Sequence, residues 1–320
     1  MEIQQRFSGI QKLTCMSLLL AAVTSPRCDA AEETAQLRES AGQGRFIDAH
    51  VHFSACKAGD LDRAAEWMKS NNVQRVINYP LPQTRPKNDA ERKQMLENYA
   101  KYKGRIARAC VIFPEEVNSV EEAVKLLEKE KQDGAVCFGE HYGVNMKLGV
   151  NLKFDDPQNL RLYEACTKVG LPLMFHMDRR NPDEKGLPRL ENVLKLYPAC
   201  TIIAHSDWWK HLPDGSCERL LKTYTNLYAD ISCTTGRSII GQDKKFAKEF
   251  FIRNADKLLF GSDSGYWSLR ATGGGEFALI DELSLPADVE DKICRKNAER
   301  LFWGGKAADS NLPAEQLKQN

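Results

Sequence analysis

Arg45-Phe46-Ile47-Asp48-Ala49-His50-Val51-His52-Phe53 is an apolar run of strand length that ends in two histidines. Phe46–Val51 reads as a strand buried on both faces, as strands of parallel sheets are. An open doubly wound sheet would place a glycine-rich phosphate loop after its first strand, and here His50-Val51-His52 stands in that position. Side chains two apart on a strand point to the same side, so His50 and His52 share a direction, with Asp48 on the same parity.

Similar runs follow at Val73–Asn78, Ile106–Phe113, Ala135–Phe138, Leu171–Phe175, Thr201–Ala204, Leu227–Ile231 and Leu258–Phe260. Between them, Asp60–Ser70, Asn88–Tyr102, Ser119–Lys131, Pro157–Val169, Leu187–Tyr197, Cys217–Thr223 and Lys244–Arg253 carry apolar residues at helical spacing. Strands alternating with helices imply βαβ units. Their number and span predict one α/β domain, a (β/α)8 TIM barrel over residues 45–304. A polar tail, 305–320, follows. Gly273-Gly274-Gly275 reads as a flexible connection from which no helix opens.

The N-terminus has its own logic. Arg6 and Lys12 precede the apolar stretch Leu13–Val23, and a polar run ends at Ala30 and Ala31. A charged start, a short apolar core and small residues at the end describe a secretory signal peptide over 1–30, joined by a linker at 31–44. The core is about eleven residues, against roughly 20 for a bilayer-spanning helix. The expected location is therefore exported, periplasmic or secreted, and otherwise cytoplasmic, without stable membrane association. Basic and acidic residues number 45 and 44. With no basic stripe there is no case for a nucleic-acid partner, and a small-molecule substrate fits better; a homo-oligomer is compatible with this composition. Eight cysteines lie beyond residue 30 without a CxxC pair. Cys110, Cys137 and Cys233 fall in strand-like runs, where a thiol behaves as a small buried hydrophobe.

The six histidines are His50, His52, His141, His176, His205 and His211. Four end predicted strands: His50 and His52 the first, His176 the fifth, His205 the sixth. Glu140 ends the fourth and Asp263 the eighth. From His176 to His205 is 29 residues, and from His205 to Asp263 is 58, twice that step. One phase of a βα repeat is one face of the barrel, the face that carries active sites. Imidazoles and carboxylates gathered there are ligands for zinc or a similar cation. Asp48 is either a group that orients a ligand histidine or a turn residue at the strand start.

The set Asp48-Ala49-His50-Val51-His52, His176, His205 and Gly261-Ser262-Asp263, closed by Lys296-Asn297-Ala298-Glu299-Arg300-Leu301-Phe302, resembles the amidohydrolase superfamily, in its amidohydrolase-2 branch. The resemblance covers roughly 45–303. It implies that His50, His52, His176, His205 and Asp263 surround one or two divalent metals, zinc first, with manganese or iron as alternatives. Many two-metal members carry a carboxylated lysine on the fourth strand, and this chain has Glu140. That arrangement resembles TatD-type hydrolases and makes Glu140 a ligand; its alternative is an ion pair with Arg179.

The implied chemistry is hydrolysis of an ester, lactone, amide or similar centre of a small molecule. Metal acidifies water, Asp263 is general base and then acid, and His205 is a ligand or polarises the substrate oxygen. Loops after the strands offer His141, Arg179, Trp208, Arg237 and Tyr266 as substrate contacts. A metal-dependent decarboxylase or hydratase of an unsaturated or aromatic acid is the first alternative. A metal-binding barrel without chemistry is the second.

Overall fold

The computed structural model describes residues 44–141, 144–145, 150–177, 187–265 and 274–304. The expected signal peptide and polar tail lie outside these residues. Eight strand segments alternate with helices. They are β1 (Phe46–His52), α1 (Asp60–Ser70), β2 (Val73–Asn78), α2 (Asp89–Lys101), β3 (Ile106–Cys110), α3 (Val120–Gln132), β4 (Ala135–His141), α4 (Pro157–Val169), β5 (Leu173–Met177), α5 (Leu187–Leu196), β6 (Ile202–Ser206), α6 (Ser216–Thr223), β7 (Leu227–Asp230), α7 (Cys233–Gln242), α8 (Lys244–Arg253) and β8 (Leu258–Leu259). After them come α9 (Gly275–Leu283), α10 (Ala287–Asp291) and α11 (Asn297–Trp303). No described helix is long and apolar enough to cross a membrane.

Neighbouring strands from β1 to β8 pair in parallel in sequence order. The ring closes through the stretch after β8. Leu258 and Leu259 pair with Ala229 and Asp230 of β7, while Ser264 and Gly265 pair with Val51 and His52 of β1. Between these ends the Ala49 amide donates to the Phe260 carbonyl, and the Asp263 amide to the His50 carbonyl, each at 2.9 Å. This continuous set of main-chain bonds makes the sheet a closed (β/α)8 barrel.

Local sequence explains the helix starts. Asn88 and Ser119 accept from the amides of Glu91 and Glu122 at 2.9 and 3.1 Å, and Asp156 caps a helix whose first residue is Pro157. Such caps satisfy amides that have no partner inside the helix. Four helices go beyond the expected set. Cys233 opens α7 rather than closing a strand, Gly275 opens α9 where no helix was expected, α10 follows it, and the closing motif is α11.

Ile47, Ala49, Ile77, Tyr79, Ala109, Cys137, Met174, Ile203 and Leu259 fill the barrel interior, and Ala298 and Phe302 of α11 belong to the same cluster. The larger cluster packs the outer face of the strands against the helices. Eight cysteines are free among the described residues, and all but Cys56 are buried.

Two irregularities matter for function. The pairing of β1 with β2 shifts between Asp48 and Val51, and that of β4 with β5 between Phe138 and His141. A bulge changes which side the following residues face. In β1 the interior set is Ile47 and Ala49, so strict alternation would send His50 and His52 outward; the bulge returns them inward. This corrects the expected parity of Asp48. In β4 the same device brings Glu140 inward and puts His141 on the helix side.

Candidate metal centre

Each ligand candidate reaches the barrel mouth by a describable route. His176 and His205 are register partners on β5 and β6, with ring centroids 5.2 Å apart. The bond from the Asp263 amide to the His50 carbonyl sets the eighth-strand carboxylate beside β1, and its Oδ1 lies 3.2 Å from His52 Nε2. Gly139 lets β4 approach β5: a Cβ there would stand 2.4 Å from the Met174 carbonyl oxygen, at a φ of +131°. Glu140 then sits in the middle. Its Oε1 meets His176 Nδ1 and lies 3.5 Å from His205 Nε2; its Oε2 is 3.4 Å from His52 Nε2 and 3.8 Å from His50 Nε2.

Behind this set stands Asp230, the last residue of β7, which sequence reading passed over. One of its oxygens takes His50 Nδ1 at 2.7 Å and the other takes His205 Nδ1 at 3.0 Å. The Ser232 hydroxyl and amide both donate to Asp230 Oδ1, at 2.5 and 2.9 Å. His52 Nδ1 is 3.0 Å from the Tyr79 carbonyl, which can only accept, and the Tyr79 ring lies 4.8 Å from that of His50. A signal for Asp230 existed: it ends a strand in the same phase as His205 and Asp263. Nothing in the sequence marked Tyr79, which contributes through its main chain.

The electrostatics follow from burial and crowding. Burial alone would lower the His50 imidazole, but the carboxylates of Asp230 and Glu140 hold it well above its ordinary value. Burial likewise pushes Glu140 and Asp230 up. Neighbouring imidazoles outweigh it, His176 foremost at Glu140 and His205 at Asp230, and hold both carboxyls well below the usual range. Asp263 is also lowered: burial opposes this, and the hydrogen bond with His52, helped by the nearby imidazoles, overcomes it.

These residues fit a divalent cation. His50, Glu140 and His205 form one compact set of ligand atoms, and His50, His52 and Asp263 another, each within 4.8 Å. The Nδ1 atoms of His50, His205 and His52 are engaged by Asp230 and Tyr79, so each imidazole turns Nε2 to the centre. Metal-ligating histidines are ordinarily fixed in this way. His176 enters neither set; it reaches the cluster through Glu140. Exposure separates the members: Asp263 has 29% of its side chain open and His176 20%, against 2% or less for His50, His52, Glu140 and His205.

The other expected residues divide. Asp48 is fully buried, and its Oδ1 accepts from the amides of His50 and Ser262, both at 3.0 Å. It stitches β1 to the eighth strand and orients no imidazole. His141 is placed away from the mouth: its Nε2 lies 3.1 Å from Asn159 Oδ1 of α4 and its ring packs against Tyr163 and Phe138. Trp208 is fully buried and stacks edge-on against Trp209, so it is packing and not a wall of the mouth. Arg237 of α7 holds the buried Glu276 at 3.2 Å through Nη1. Burial first, and the charge of Asp263 as well, raise the Glu276 carboxyl. Arg179 and Tyr266 lie outside the described residues.

His141 gives a prediction on stability. Burial drops its pKa from 6.5 to about 4. The unfolded chain then binds more protons between these values, so stability is present above pH 6.5 and is lost as pH falls toward 4. The shift corresponds to roughly 3 kcal/mol. In His141→Gln, unfolding free energy from denaturant titration should fall less than in the native chain across that window; identical slopes would show that His141 titrates normally.

A family model described as amidohydrolase matches residues 47–303. No curated protein matches the chain. Among solved structures, a probable 2-pyrone-4,6-dicarboxylic acid hydrolase from Acinetobacter baumannii, crystallised with citric acid, aligns with TM-score 0.55 and 17% identity, over 81% of this chain and 99% of its own. A 4-oxalomesaconate hydratase from Rhodopseudomonas palustris gives 0.57 and 13%, over 80% and 95%. A 5-carboxyvanillate decarboxylase from Novosphingobium aromaticivorans, complexed with manganese, gives 0.50 and 15%, over 75% and 79%. At these identities the likeness is one of fold.

Proposed function

The chain belongs to the amidohydrolase family, and on that premise we propose that it is a metal-dependent hydrolase of a small molecule with an ester, lactone or amide centre. One observation carries the reading. Three imidazoles locked in the same tautomer converge with Glu140, and the single carboxylate of the cluster that opens to solvent, Asp263, stands at its edge.

His50, His52, His205 and Glu140 would hold the cation, with Asp263 at the open side. Both compact sets use His50, whose Nδ1 is occupied by Asp230. Its remaining nitrogen serves one ion, which supports a single centre. When bound, such an ion lowers the pKa of water from 15.7 to about 7 and so supplies a nucleophile at neutral pH. Asp263 would take the proton of the attacking water and return it to the leaving group. Its lowered pKa keeps it a carboxylate, the form a base needs. Arg237, held by one nitrogen on Glu276, has further N–H donors to offer a substrate carboxylate or phosphate.

Decarboxylation and hydration are the competing chemistries, since a decarboxylase and a hydratase share this fold. Products separate them: carbon dioxide release, addition of water to a double bond, or a cleaved acyl bond. The first experiment is elemental analysis of the full chain purified without chelator, beside His50→Ala/His52→Ala. About one equivalent of zinc, manganese or iron is expected in the native protein and none in the double variant. Two equivalents would overturn the single centre. Folded native protein that takes up no metal would remove the hydrolase reading.

A further inference from the structure

A second concavity lies outside the barrel, where α2, α3 and the outer face of β2 and β3 meet. Apolar packing does not close this wedge. α2 buries only Met95 and Asn98, and α3 only Ala123 and Leu127. β3 carries an arginine in its middle, Arg108, which is 5% exposed. Charge fills the gap. Arg92 spans from α2 to Glu130 at 2.9 Å and to Asp133 at 2.6 Å, while Arg108 reaches the Glu130 carboxylate at 2.5 Å and its carbonyl at 2.8 Å.

A cavity of about 250 Å³ remains beside this network. Phe53, Met95 and Tyr99 give it an apolar side; Arg92 and Arg108 give it a cationic one. The loop after β2 adds Arg85 and Lys87, and the carboxylates facing the space are Asp89 and Glu130. Arg85 is paired with Glu116 at 3.0 and 3.2 Å, so the cationic side of the cavity rests on Arg92, Arg108 and Lys87. Arg108 spends its terminal nitrogens on Glu130 and leaves its buried Nε–H without an acceptor among the described residues. A buried donor left unmade is costly, and a ligand oxygen would satisfy it. Lys87 is exposed at the loop, so it can follow an incoming anion.

We propose that this cavity binds a small organic acid. Its carboxylate meets Arg92, Arg108 and Lys87, and its apolar body lies against Phe53, Met95 and Tyr99. Ligand cavities run from about 300 to 1,000 Å³, so this one suits a molecule no larger than a single ring with its acid group. The site is distinct from the metal centre. Phe53 and Met95 belong to the layer between strands and helices, whereas the metal-ligand candidates face the barrel mouth. The inference does not depend on the hydrolase reading.

The test titrates benzoate into the full chain, metal-loaded, and follows backbone amide shifts. Saturable shifts are expected at Lys87, Arg92 and Tyr99. Lys87→Glu, an exposed substitution that leaves the fold and metal content intact, should raise the Kd for benzoate about tenfold. Inorganic phosphate is run in parallel. If it displaces benzoate at equal concentration, the site reads charge alone and the organic-acid assignment fails. Shifts confined to the surroundings of His50 and Asp263 would place benzoate at the metal centre and overturn the proposal. Absence of any saturable shift would also overturn it.

Discussion

Asp230→Asn should weaken metal binding by about 100-fold while the chain stays folded. Loss of a group that orients a ligand typically costs 10- to 100-fold in metal affinity, and Asp230 orients two, His50 through one oxygen and His205 through the other. An asparagine keeps one acceptor and replaces the second with an N–H. It therefore faces one imidazole Nδ1–H with another donor, and that ring must flip its tautomer or its orientation. Either change takes one Nε2 lone pair from the centre. Competition against a chelator of known affinity would read the loss directly. Equal affinity in the variant and native proteins would mean that packing alone fixes the two rings, through the stacking of His50 against Tyr79 and His205. Ser232→Ala should reproduce a fraction of the effect, since Ser232 donates twice to Asp230 Oδ1.

The second large effect is expected at Asp263, and it has the opposite signature. Asp263→Asn should lower kcat by about 10³, within the 10² to 10⁴ that a positioned base contributes, and leave metal content near native. His50, His52, His205 and Glu140 are the buried members of the cluster and remain to hold an ion, while Asp263 is the carboxylate with 29% of its side chain open. Kinetics on an ester or lactone substrate, with elemental analysis of the same preparation, separate the two variants: affinity lost with Asp230, turnover lost with Asp263. A metal-free Asp263→Asn protein would make Asp263 a ligand above all, and its role as base would have to pass to another group.

The phase of the βα repeat made most of the centre legible before any fold was known. His176 and His205 end strands that alternate regularly, so their inward direction can be read by counting twos from Met174 and Ile203, which face the interior. Asp230 obeys the same count, two residues after Tyr228, which packs against the interior cluster. His50, His52 and Glu140 do not obey it. Each follows a bulge, and a bulge depends on how a neighbouring strand pairs, which no local pattern records. The HxH spacing grouped Asp48 with His50 and His52 on one parity, and the register shift after Asp48 separates them. In the fold Asp48 is spent on main-chain amides.

His141 follows Glu140 directly, yet adjacent strand residues face opposite sides, and Asn159 claims it from α4. Trp208 sits next to the His205 strand end, but a large indole gains more from burial than from a place at the rim. The sequence by itself determined the alternation of strands and helices, the single barrel and the face on which the ligand-type residues gather, because all three follow from periodicity along the chain. Only the tertiary structure decided the inward turn of His50, His52 and Glu140, the double hold of Asp230, the tautomer that Tyr79 imposes on His52 and the charged wedge around Arg108. Each of these depends on which strand or helix lies alongside, and that contact is made across the fold rather than along the chain.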